Sequence, residues 1–322
     1  MDALTRFKAV HEALNAERAW WSDASSLRFA AIAAATCPQE PASMAKALRI
    51  LAEDLEKGSR WYGELKSSLR FVVSVFLVNA GDDPVRFLAE VDRVRALFRE
   101  RGMRRGGAYE VISVLLLRQQ ARLEPIGEAS VARFQSIYDE MKRHHWWLTG
   151  PEDLPFCALL SGASGSPPEI GQRMEALYQA LRAENFSAGD PLQASASILA
   201  LSDIEPGTAA QRFRSLAEAF REAGVAMWQS DYDELAILSF LDAPPRAVCD
   251  RVMRLREEMK ALRPKPDRLA TFNLASSVAF LERVGGDPTT KELIDVKALR
   301  DTQAVIDAQR AAAVAATGAA AG

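Results

Sequence analysis

Six tryptophans, Trp20, Trp21, Trp61, Trp146, Trp147 and Trp228, are the residues of this sequence best suited to a binding surface. Tryptophan joins a large apolar area to one N–H donor, and it is over-represented where a few side chains carry most of a binding energy. Arg28 and Arg70 come next. Each closes a Ser-Leu-Arg stretch before phenylalanine, near a predicted helix start where free backbone amides favour an anion. Glu110, Asp153, Asp233 and Glu234 hold comparable places further along. Acids there complement a helix dipole; gathered around one mouth they could do acid–base chemistry.

Other chemistry is not signalled. His144 and His145 are adjacent, and neighbours on a helix diverge by about 100°. They cannot share a metal as residues four apart do, and they are expected to close a helix, where a cation is favourable. Asp83, after Asp82, reads as the N-cap before Pro84. Cys37, Cys157 and Cys249 are odd in number and form no CxxC pair, so no zinc site or disulfide framework is suggested. There is no glycine-rich phosphate loop, no Gly-x-Ser-x-Gly and no His-Glu-x-x-His. No catalytic, cofactor-binding or metal-binding residue is therefore assigned.

The totals narrow the class. The 322 residues are 48% apolar and 26% charged, with a net charge of -3, the balance of a soluble globular protein. Such a charge argues against nucleic acid as the main partner. Residues 86–105 hold seven arginines against three acids, but no aromatics interleave for stacking, so a solvated helix face is expected. A contact with RNA or DNA through Arg99, Arg101, Arg104 and Arg105 is the third functional reading. The first residues carry frequent charges and no apolar h-region, and no apolar run reaches 18 residues. We expect no signal peptide, no membrane span and a cytoplasmic location, which free thiols also fit.

Positioning elements emerge from the prolines. Pro41, Pro84, Pro125, Pro167, Pro206, Pro245 and Pro288 are separated by 43, 41, 42, 39, 39 and 43 residues. Proline suits the first position of a helix and breaks helix interiors. Before each lies a short apolar run, the A segment: SLRFAAIAAA from Ser26, SLRFVVSVFLV from Ser68, YEVISVLLL from Tyr109 and LPFCALLSG from Leu154. LQASASILAL from Leu192, YDELAILSFL from Tyr232 and FNLASSVAFL from Phe272 complete the set. After each proline comes a longer amphipathic B segment, with Phe87, Val91, Val94 and Phe98 in one, and Phe213, Leu216, Ala217 and Phe220 in another. Gly58, Gly102 and Gly224 stand where a left-handed glycine would end the helix. Valine and isoleucine could make an A segment a strand, but the helical segments between and the lack of hairpin turns decide for helix.

The expected fold is all-α. About seven tandem antiparallel helix pairs of ~41 residues form a curved HEAT-like solenoid, since that period matches the HEAT and armadillo class and a lone pair cannot bury its apolar face. A closed α/α toroid is the alternative. Residues 1–25 form a capping helix, and 26–287 the array. Residues 288–310 continue it as the last helix, and 311–322 are an alanine-rich flexible tail. All six tryptophans fall in B-to-A connections, four to eight residues before an A helix. They either line a binding rim or plug the seams between repeats, and their recurrence favours packing.

The order LPFCALLSG, RMEALYQALRAENFSAGDPLQASASILALS and RFRSLAEAFREAGVAMWQSDYDELAILSFLD, in residues 154–242, resembles the bacterial proteins grouped as domain of unknown function 4003. The resemblance covers most of the chain. It implies a cytoplasmic bacterial protein and brings no activity and no functional residues. The leading functional expectation is a non-enzymatic interaction or scaffold module with a protein or peptide partner. The alternative is a small-molecule binder or enzyme at the A-helix N-terminal edge of a closed ring, built from Arg28, Arg70, Glu110 and Asp233.

Overall fold

A computed structural model describes residues 2–16, 24–59, 63–67, 69–145 and 147–284, with Lys297 and Ile306. Among the described residues the chain is all-helical, with fourteen α-helices, four short 3-10 turns and no strand. After α1 (Ala3–Ala16), one set is α2 (Ala24–Ala33), α4 (Leu69–Ala80), α6 (Ala108–Gln120), α8 (Leu154–Leu160), α10 (Asp190–Leu199), α12 (Tyr232–Leu238) and α14 (Arg268–Val284). Interleaved with these are α3 (Pro41–Gly58), α5 (Pro84–Glu100), α7 (Glu128–His145), α9 (Pro167–Ala183), α11 (Pro206–Glu222) and α13 (Pro245–Lys260). The apolar A segments are thus helices, including those rich in valine. In α6 every side chain from Ala108 to Arg118 is buried, as a helix apolar on all faces must be.

Proline opens α3, α5, α9, α11 and α13, while α7 begins three residues past Pro125. Asp83 accepts from the Arg86 amide at 2.8 Å, and Ser166 and Glu169 form a capping box on α9. Glu40 and Glu205 cap α3 and α11 with their carboxylates, a choice outside the usual Ser/Thr/Asp/Asn set. Each cap satisfies helix-end amides, at roughly 1 kcal/mol. Gly102 and Gly224 have φ of 74° and 78°, and Asn185, at 65°, does the same work after α9. Gly58 does not: it is the last residue inside α3. A β-carbon there would lie 2.5 Å from Leu88 Cδ1, so glycine serves a close approach rather than a turn.

The chain divides into two compact units, residues 1–88 with 297–322, and residues 89–296. In the first, α1 packs on α2 and α3, α2 on α4, and α3 on α4. Phe7, Leu14, Leu48, Leu55 and Val73 are fully buried there, and Lys297 and Ile306 are buried too. Expected residues 288–310 and 311–322 otherwise lie outside the described residues.

In the second unit, α6 packs on α8, α7 on α8 and α9, and α9 on α10 and α11. The packing continues from α10 to α12, from α11 to α12 and α13, and from α12 and α13 to α14. Phe98 stacks on Phe134 at 5.2 Å. Phe186, Phe213 and Tyr232 meet edge to face, and Phe220 meets Phe272. Such pairs add about 1 kcal/mol each to the burial itself.

Arginines tie several of the long helices to segments further along the chain. Arg133 of α7 donates to the carbonyls of Ser161, Ala163 and Gly165 at 2.7–2.8 Å. Arg173 of α9 donates to Ser202 and Ile204, and Arg251 of α13 pairs bidentately with Glu282. Each stands immediately before a buried apolar residue: Phe134, Met174 or Val252. Within the first unit Arg6, before Phe7, donates to Gln39 in the same way. In α5 the corresponding residue is Glu90, which accepts from the Ile126 amide at 2.6 Å while Arg93 donates to the Ile126 carbonyl.

Candidate functional site

Trp20, Trp21, Trp61 and Trp146 lie outside the described residues. Arg28 is the fifth residue of α2 and 4% exposed. It therefore sits one turn deeper than the helix start expected for it, because α2 begins at Ala24. Arg70, second in α4, is engaged: it donates to the carbonyls of Lys66 and Ser67 at 2.9 Å and lies 3.2 Å from Glu56. In the other unit Glu110 is buried against Arg95 at 3.1 Å and Arg99. Burial and the neighbouring Arg95 and Arg105 charges hold the Arg99 pKa down.

Trp147 and Trp228 are the two tryptophans the structure describes, on separate turns of the second unit, before α8 and α12. They are 63% and 60% exposed, the largest exposed apolar side chains among the described residues. Both turns have one construction. A 3-10 turn, Pro151–Asp153 or Gln229–Asp231, leads into the short helix. The aspartate at its end folds back, so that Asp153 Oδ2 accepts the Gly150 amide and Asp231 Oδ2 the Trp228 amide, each at 2.9 Å. Both carboxylates are buried, at 5% and 0% exposure, and each closes an entry turn that would otherwise leave an amide unpaired.

Their electrostatics differ. Burial pushes the Asp153 carboxyl up to about 7; the Gly150 amide and Gln193 oppose this, and Glu152 and Asp190 add to it. Burial also raises Asp231, while the Trp228 amide, Arg268 and Arg256 hold it down, with Arg268 3.8 Å away. Sequence reasoning singled out Asp153 but missed Asp231. The available signal was an aspartate directly before each apolar helix, three residues after the turn's first amide.

Beside His145 is a narrow crevice. His145, the last residue of α7, lies 2.7 Å from Glu175 of α9 and 4.4 Å from the Tyr178 ring. Trp147 meets its edge at 6.0 Å. His145, Glu175 and Tyr178, with Met141 and Gln193, line a cavity of about 10 Å³, room for about one water. Asp233 is buried nearer α10, 3.4 Å from the Ser195 hydroxyl. No group of three His, Cys, Asp or Glu able to hold a metal occurs among the described residues. The arrangement leaves two indoles in solvent, Trp228 on a turn locked by a buried carboxylate and Trp147 just before one, against His145.

These features define an all-helical protein that displays tryptophan on helix-entry turns. The chain belongs to the family described as "Protein of unknown function (DUF4003)", whose sequence profile matches residues 12–311, as the resemblance implied. It is also similar to the uncharacterized protein YeaA of Bacillus subtilis (strain 168), with 29% identity over 184 residues, or 56% of this chain and 53% of YeaA. The chain thus spans about half the length of that curated relative. No solved structure matches.

Proposed function

We propose that this chain is a non-enzymatic interaction module, a HEAT-like helix-pair solenoid whose B-to-A edge engages a protein or peptide partner through Trp147 and Trp228. The exposure of these two indoles, Trp228 on and Trp147 three residues before a helix-entry turn closed by a buried aspartate, carries the reading. A tryptophan held rigid and wet loses little entropy on docking and offers a large area to bury. The alternation of short apolar and long amphipathic helices, with long helices packed on successive long helices from α7 to α13, supports the solenoid. The three buried thiols fit a reducing cytoplasm, and no helix among the described residues is long and apolar enough to cross a membrane. Affinity copurification from the native cell tests the proposal. One specific protein should be recovered with the wild-type chain and lost with a Trp147→Ala/Trp228→Ala double variant. Equal recovery with both would refute the edge.

A second reading, a small-molecule binder or enzyme, is favoured by one observation: the Asp153 carboxyl, pushed up to about 7 by burial, hydrogen-bonds Gln193, which also lines the crevice beside His145 and Glu175, and such shifts cluster at functional sites. Screening small molecules by thermal shift would support it if a hit were lost in Asp153→Asn. The size of the crevice stands against it.

A further inference from the structure

Among the arginines that precede a buried residue in α7, α9, α11 and α13, one differs in behaviour. Arg133, Arg173, Arg212 and Arg251 recur every 39 or 40 residues. Arg212 stands before buried Phe213 just as Arg173 stands before Met174. The connections they face, between α8 and α9, α10 and α11, and α12 and α13, are each six residues long. Arg133 and Arg173 fill theirs by donating to main-chain carbonyls. Among the described residues Arg212 has no partner, and it is exposed. In place of the missing contact is a groove of about 410 Å³, lined by Arg212 and Leu216 of α11, Leu238 of α12, and Leu241, Asp242 and Pro244 of the connection.

The chemistry of the groove says what would fill it. Leu216, Leu238 and Leu241 are already shielded from water, so its open bonding capacity is polar. One donor, Arg212, and one acceptor, Asp242, face the space without pairing with each other. Pro244, at the N-cap of α13, contributes no side-chain acceptor, unlike Ser166 and Glu205 at the equivalent starts. A donor and an acceptor above an apolar wall complement the carbonyl and N–H of an extended backbone. The equivalent Arg133 and Arg173 bind that same carbonyl chemistry within the fold. We infer that this groove binds an extended peptide segment of a partner protein, with Arg212 donating to its main-chain carbonyls and Asp242 accepting from its main-chain N–H. The site is separate from the tryptophan edge and stands or falls without it.

The test uses the full chain and octapeptides selected on it from a phage-displayed random library, remade with acetyl and amide ends so that no terminal charge contributes. Fluorescence anisotropy should show at least tenfold weaker binding to Arg212→Ala and weaker binding to Asp242→Ala. Both side chains are exposed and unpaired, so circular dichroism should report unchanged folding. Replacing one peptide amide by an ester, which removes an N–H and weakens the carbonyl, should cost several-fold at the contacted position only. Trp147→Ala/Trp228→Ala should leave the affinity unchanged. Peptides that bind Arg212→Ala as well as wild type, that depend on the tryptophans instead, or that fail to enrich above bare support would each overturn the inference.

Discussion

The turns before α8 and α12 are the same device in two electrostatic settings. In each, a buried aspartate accepts the amide three residues back at 2.9 Å; the exposed tryptophan is that amide's own residue at Trp228 and stands three residues before it at Trp147. Burial raises both carboxyls, and much of the difference comes from the next A-segment helix along the second unit. For Asp153 that helix is α10, which contributes an acid, Asp190, and a neutral hydrogen bond from Gln193. For Asp231 it is α14, which contributes the cation Arg268. The backbone geometry of a helix entry can therefore be held constant while neighbouring side chains set its protonation.

The largest expected effect separates the two turns by pH. The Asp153 pKa is raised from 3.8 to about 7 on folding, so between those values the folded chain holds a proton that the unfolded chain has released. Stability contributed by this proton is present at low pH, falls as pH rises through the window and levels off above it. The full swing is at most about 4 kcal/mol. Asp153→Asn keeps an acceptor for the Gly150 amide and cannot ionise. Urea denaturation at a series of pH values should show wild type losing ground to Asp153→Asn between about pH 4 and 7. The corresponding loss against Asp231→Asn should be smaller, because Arg268 and Arg256 offset burial there. Parallel curves for wild type and Asp153→Asn would show that Asp153 is ionised throughout.

Much of this fold was legible in the sequence. Prolines at positions 41, 84, 167, 206 and 245 open helices because their missing N–H and fixed φ suit a first turn, and the apolar runs before them are buried helices. The carboxylate caps Glu40 and Glu205 were not foreseen, since glutamate is not a usual N-cap residue. Nor were the arginine ties. A charged residue beside a buried one reads as a solvated face until three dimensions show which carbonyls lie within reach. The exposure of Trp147 and Trp228 was equally hidden, because sequence gives the edge on which an indole sits but not whether a neighbouring helix covers it.

The second expectation converts one turn toward the other. Arg268→Ala removes a cation 3.8 Å from Asp231, which should raise the Asp231 pKa further and make its stability–pH profile resemble that of Asp153. Arg268 is about half exposed, so screening limits the change to about 1 kcal/mol or less. The checking measurement is the stability difference between the Arg268→Ala single variant and the Arg268→Ala/Asp231→Asn double variant, followed against pH. A difference that does not steepen relative to the wild-type background would mean Arg256 alone sets this turn.

The smallest expected effect concerns the tryptophans themselves, and its smallness is the informative part. An indole that plugs a seam between helices costs roughly 3–5 kcal/mol when cut to alanine, through lost burial and the cavity left behind. An exposed one away from such features costs about 0.5 kcal/mol or less. At 63% and 60% exposure, Trp147→Ala and Trp228→Ala should both fall in the second class. Trp147 should cost slightly more, because its ring edge meets His145. Thermal denaturation of the single variants, together with partner recovery by the double variant, distinguishes the roles. Near-wild-type stability with loss of the partner assigns these two indoles to recognition. A loss of several kcal/mol at either position assigns that turn to packing, and the two turns would then differ in function as well as in charge.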